Sequence, residues 1–137
     1  MPMINLQIAS EPDARLARDA TRLVTGRVAE ILGKDPKVTA VAVEFIPRKH
    51  WFIAGKSTEE RKAGAFFLDV RISDGTNSKD EKARYVAAAF AALGKLLGGV
   101  HEESYVHVDD ARADAYGYGG LTQERRYIQG RPAPEAR

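Results

Sequence analysis

The stretch Phe66-Phe67-Leu68-Asp69-Val70-Arg71-Ile72-Ser73-Asp74-Gly75-Thr76-Asn77-Ser78 decides the fold. Phe66, Leu68, Val70 and Ile72 fall on one side of an extended chain, and Phe67, Asp69, Arg71 and Ser73 on the other. A period of two with one apolar side is the signature of a half-buried strand. Ser78 stands three residues before Glu81, the spacing of a capping box at a helix start. Val86, Phe90, Leu93 and Leu97 continue at helical spacing until Gly98-Gly99 end the run. A further strand, Ser104 to Val108, sets Val106 and Val108 against Tyr105, His107 and Asp109.

The front of the chain repeats this plan. Met3 to Ala9 alternates, with Ile4, Leu6 and Ile8 opposite Met3, Asn5 and Gln7. Ser10 offers an N-cap with Asp13 at N3, and Glu11 suits the positive end of the helix dipole. Leu16, Ala20, Leu23, Val24, Val28 and Ile31 form an apolar stripe that Gly33 stops, and Val38 to Ile46 reads as a strand. Two strand–helix–strand units predict an α/β (α+β) fold, a duplicated β-α-β unit whose four-stranded mixed sheet carries two helices on one face. The bare face holds Met3, Asn5, Gln7, Phe67, Asp69, Arg71, Tyr105 and His107, and is either solvated or covered by another subunit. Residues 109–128 show no clean helix and a glycine-rich centre, Tyr116-Gly117-Tyr118-Gly119-Gly120, expected to wrap a neighbour. One domain is expected over 1–128, with a loose C-terminal tail over 129–137.

Composition narrows the functional classes. With 137 residues, 44% hydrophobic and 29% charged, the chain suits one domain with a real core. A net charge of +2, spread along the chain, gives no clustered basic face for nucleic acid. The absence of cysteine excludes disulfides, a thiolate nucleophile and a cysteine-based zinc site. No apolar run is long enough to cross a bilayer, and the first residues show no signal-peptide pattern, so a cytoplasmic protein is expected.

Several motifs fail on spacing. Ala54-Gly55-Lys56-Ser57 imitates the end of a P-loop, but the motif's first glycine falls on His50, so a surface loop is expected. Gly117, Gly119 and Gly120 lack the dinucleotide spacing and instead suit tight turns. His107, Asp109 and Asp110 suggest metal ligands, but only His107 and Asp109 share a strand face and spacing gives no third ligand, so a hydrogen-bonded or pocket-lining polar pair is the better reading. Pro2 is different because it leads directly into the first strand. Removal of Met1 would make it a secondary amine. Ordinary α-amino groups titrate at about 7.7–8.0, and burial or a nearby cation lowers that value. A neutral amine so placed can take a proton from a carbon alpha to a carbonyl and return it elsewhere.

Over residues 2–128 the pattern resembles the tautomerase superfamily, especially members like macrophage migration inhibitory factor and carboxymethyl-hydroxymuconate isomerase. The resemblance rests on Met-Pro opening the first strand, on Gly33-Lys34-Asp35-Pro36 followed by Ala40-Val41-Ala42-Val43, and on Phe66 to Ser78. Asp110, Gly117 and Tyr118 match an Asp and a later Gly-Trp pair. The resemblance implies a homotrimer with a central barrel of sheets, an active site between subunits, and neither metal nor organic cofactor. It implies Pro2 as catalytic base, Lys34 on a substrate carboxylate, Ile72 contacting substrate through its backbone amide, and Tyr105 donated by the neighbouring subunit.

Departures accompany the likeness. His107, counted with the substrate-binding residues, stands where the cytokine-like members have Asn, and Tyr118 replaces Trp. Arg71 either binds carboxylate in the pocket or pairs with Asp69. The implied activity is keto–enol isomerisation of a small 2-keto or 2-hydroxy-dienoate carboxylate. Hydratase, dehalogenase or decarboxylase chemistry is the first alternative, weakened because Ser73-Asp74-Gly75-Thr76-Asn77 lacks the arginines those members carry. A non-catalytic βαββαβ binding module is the second, required if Met1 stays attached.

Overall fold

A computed structural model describes residues 2–130. The chain runs β1 (Met3–Ala9), α1 (Ala14–Leu32), β2 (Ala40–Ile46), β3 (Phe52–Ile53), β4 (Lys56–Ser57) and α2 (Thr58–Arg61). It continues with β5 (Phe66–Ser73), α3 (Lys79–Leu96), β6 (Tyr105–Ala111), β7 (Gly117–Tyr118), β8 (Leu121–Thr122) and α4 (Gln123–Gln129). Residues 131–137 of the expected tail lie outside the described residues, and Gly130 caps α4.

The main sheet has the order β2-β1-β5-β6. β1 and β2 are parallel across α1, β5 and β6 are parallel across α3, and the two units meet antiparallel, with Leu6 opposite Leu68. Both crossover helices therefore cover one face, as the duplicated pattern predicts. Ile4, Leu6, Ile8, Phe66, Leu68, Val70 and Ile72 lie under them, packed on Ala20, Val24 and Val28 of α1 and Tyr85, Ala89 and Leu93 of α3. Each large apolar side chain so buried contributes roughly 1.5–3 kcal/mol.

Local chemistry moves some boundaries. The first helix is capped by Asp13, not Ser10: the Asp13 carboxylate accepts from the Arg15 and Leu16 amides, both at 3.0 Å. Pro12 explains the shift, because it drives Glu11 out of helical backbone. The Ser78–Glu81 capping box forms as expected. α3 is rotated from the expected stripe: Tyr85 is fully buried and Val86 is 38% exposed. Its many alanines leave the apolar stripe ill defined, and the larger Tyr85 ring fills the core.

β2 begins at Ala40 because Pro36–Val38 takes one 3₁₀ turn, capped by Asp35 on the Lys37 amide. β6 runs past Val108 to Ala111 by pairing with the end of β5.

Each unit then adds a feature that periodicity does not reveal. β3 and β4 form a two-residue hairpin through Ala54 and Gly55, both at positive φ, and lead into α2. This is the actual shape of the P-loop-like stretch. β7 and β8 do the same through Gly119 and Gly120 before α4, so 109–128 is more regular than expected. Positive φ at both turn positions is the geometry that suits a two-residue hairpin. Ser57 and Thr122 close the two hairpins and cap the helices after them. No helix among the described residues is long and apolar enough to cross a membrane.

Candidate active site

Pro2 is buried at the head of β1. Its carbonyl accepts from the Ala40 amide of β2 at 3.2 Å. The next amide, that of Met3, donates to the Tyr116 hydroxyl at 2.9 Å, and this hydroxyl donates to the Arg71 carbonyl at 3.3 Å. Burial raises the Tyr116 phenol above its ordinary value, opposed by the Met3 amide bond and the Arg71 charge.

A cavity of about 610 Å³ opens beside Pro2. Pro2 and Met3 form one side, Lys37 and Arg71 supply cations, and Tyr116 and Tyr118 form an aromatic wall. No acidic residue is among the described residues lining it. Arg71 sits at the end of β5, and its Nε donates to Asp109 Oδ2 at 3.1 Å. Its pairing partner is thus Asp109 and not Asp69. The Arg71 Nη atoms make no hydrogen bond among the described residues, and a guanidinium edge of this kind suits a carboxylate. The Tyr118 wall is braced from behind: Arg126 Nη2 donates to the Tyr118 carbonyl at 2.8 Å, and its guanidinium lies 3.8 Å from the ring centroid.

Of the site residues expected from sequence, the structure brings Pro2 and Arg71 together. Lys34 stands outside the lining; its ammonium donates to Thr76 Oγ1 at 2.9 Å. Burial lowers its pKa, while the Glu81 and Asp110 charges oppose that. Lys37, three residues on, lines the cavity instead. The Ile72 side chain is fully buried in the core, and Ile72 is not among the lining residues.

Tyr105 lies near the other end of the sheet, opposite Phe67. It is 58% exposed, and its hydroxyl donates to Glu103 at 2.7 Å, which raises its pKa. It borders a second cavity, of about 470 Å³, with Trp51, Phe52, Phe67 and Glu103. His107 Nδ1 is 3.2 Å from Asp69 Oδ1 but not aligned as a hydrogen bond, leaving that buried oxygen without a hydrogen-bond partner among the described residues. No group of three His, Cys, Asp or Glu among the described residues is arranged to hold a metal.

Lys37 and Tyr116 are the lining residues that sequence reasoning missed. Lys37 was hidden by the 3₁₀ turn, which swings it round relative to Lys34. Tyr116 lay in a segment expected to reach a neighbour, whereas it folds onto its own chain.

The fold is the one found in solved 4-OT and macrophage migration inhibitory factor-like structures, and it is the fold that the resemblance to tautomerases implied. Pt0534, solved inactivated by 2-oxo-3-pentynoate, superposes with a TM-score of 0.79 at 16% identity, over 94% of this chain and 99% of that one. The F6 fused 4-OT, an asymmetric trimer, gives 0.78 at 13% identity over 94% and 99%. A macrophage migration inhibitory factor homologue from Prochlorococcus marinus gives 0.71 at 21% identity over 88% and 97%. No family model and no curated protein sequence matches the chain.

Proposed function

We propose that this chain is a cofactor-independent tautomerase acting on a small 2-keto or 2-hydroxy-dienoate carboxylate, with Pro2 as the proton-transfer base. The observation that carries this reading is a buried Pro2 beside a cavity with two cations and no acid among the described lining residues. The inactivation of Pt0534 by a 2-oxo acid supports the choice of substrate class. Arg71 and Lys37 would hold the carboxylate and stabilise negative charge on the enolate oxygen. Pro2, freed by removal of Met1 and kept neutral by burial, would take a proton from one position and return it to another. The trimer of the F6 fused 4-OT supports a homotrimer here as well, with the bare sheet faces turned inward.

Intact mass of the natively expressed protein tests the first requirement, loss of Met1. Pro2→Ala is then expected to lower isomerisation of a phenylpyruvate-type or hydroxydienoate substrate by roughly 10²–10⁴-fold with the fold retained. Equal activity in the two proteins, or full retention of Met1, overturns the reading. Light scattering tests the trimer separately.

A further inference from the structure

The peptide group between Pro2 and Met3 is held from both sides. Its carbonyl is bonded by Ala40 and its amide by Tyr116. A peptide is planar, so two such bonds also fix the Cα of Pro2. Once Met1 is gone, the ring nitrogen can then move only by rotation about the Cα–C bond. The same Tyr116 oxygen bonds the carbonyl of Arg71, the residue bringing a guanidinium to the cavity. Met3 and Arg71 are opposite each other at the last register position between β1 and β5, and the hydroxyl lies between them as an inserted rung.

The other repeat provides an internal comparison. Trp51 precedes β3 as Tyr116 precedes β7. The Thr58 amide donates to the Trp51 carbonyl at 2.8 Å, just as Gln123 donates to Tyr116 at 2.8 Å. Trp51 has no hydroxyl, and the strand beside it is interior to the chain and needs no terminal tether.

We propose that Tyr116 is a positioning residue whose hydroxyl, by bonding the Met3 amide and the Arg71 carbonyl together, sets the Pro2 nitrogen at a fixed place relative to the Arg71 guanidinium. The inference rests on Pro2 as base. The raised phenol pKa keeps the hydroxyl protonated, as a simultaneous donor and acceptor must be.

The test is Tyr116→Phe in the full chain, with Met1 removal verified by mass. Three readouts are compared with wild type: isomerisation kinetics, exchange of the Met3 amide, and the pH dependence of Pro2 alkylation by 3-bromopyruvate. Expected are a kcat roughly ten- to a hundredfold lower, a KM changed much less, faster Met3 exchange, and an alkylation pKa moved up as the amine becomes better solvated. A wild-type kcat and alkylation profile overturns the proposal, as does a lower kcat matched only by a lower Tm. If Pro2→Ala is inactive in that case, the base reading survives and only the role of Tyr116 falls. If Pro2→Ala is active, both fall. Should the Phe variant not fold, Tyr116→Trp, the residue of the other repeat, removes the hydroxyl and is read by the same criteria.

Discussion

Gly117→Ala probes whether the β7–β8 hairpin is the movable wall of the cavity. A Cβ on Gly117 would lie 2.7 Å from both the Leu121 carbonyl carbon and the Thr122 Cα. Carbon atoms pack best at about 3.5–4.0 Å. The obstructing atoms are backbone of the opposite strand, so the strain can be relieved only by parting the hairpin. Overpacking of this kind costs about 1–3 kcal/mol, which raises the open population by roughly 5- to 150-fold at about 1.4 kcal/mol per factor of ten.

No residue of β7, β8 or α4 belongs to the main core cluster, so the opening should be local and leave the sheet intact. Amide exchange reads this directly. The Gln123 amide, bonded to the Tyr116 carbonyl at 2.8 Å, is expected to exchange faster by that factor, while Leu6 in β1 stays unchanged. Isomerisation is expected to show a higher KM as the Tyr118 wall loosens. Unchanged exchange at Gln123 would refute the reasoning, and equal acceleration at Leu6 would show that the hairpin is part of the global fold unit.

Gly26, inside α1 and exposed, has nothing within 4 Å of an added Cβ, so Gly26→Ala is expected to stabilise by about 0.5–1 kcal/mol in urea unfolding. Asp13→Ala is expected to cost about 1 kcal/mol and Ser10→Ala far less; the reverse order would restore Ser10 as the cap. Glu81 is held below the usual carboxylate range by the Ser78 amide and then the Ser78 hydroxyl. Its contribution is therefore present above its unfolded pKa and lost as pH falls through its lower folded value. Acid titrations of stability are expected to be shallower through that window in Glu81→Gln, and an identical slope would count against the capping box.

The sheet was legible because its alternation is unambiguous. Ile4, Leu6 and Ile8, and Phe66 through Ile72, could face the helices in only one register. The Ser78–Glu81 cap was legible for the same local reason. Legibility failed where one residue outweighed a motif: Pro12 moved a helix start that Ser10 and Asp13 had spelled out. It failed again in the two hairpins, whose strands are two residues long and carry no measurable period. The candidate site was half legible. Arg71 lies on a regular strand and Pro2 directly precedes one, and their meeting follows from the antiparallel register that sets Met3 opposite Arg71. Lys37 and Tyr116 reach the cavity through a turn and a hairpin, whose directions depend on tertiary bonds that spacing does not encode.

The duplicated hairpin also bears on the count of reactive centres. By strand register and hairpin position, Tyr116 corresponds to Trp51, Met3 to Phe67 and Ala40 to Tyr105, so the two cavities occupy corresponding places in the two repeats. The copy of Pro2 is then Phe66, whose nitrogen is an amide inside the chain, donating to Ser104 Oγ at 3.3 Å. A secondary amine can arise only at a chain end, so the second cavity has no counterpart of the proposed base. On the proposed reading the stoichiometry is one catalytic amine per chain and three per trimer. The other half-site, released from chemistry, is at liberty to carry Tyr105 and Glu103 where the first carries Ala40 and Val38.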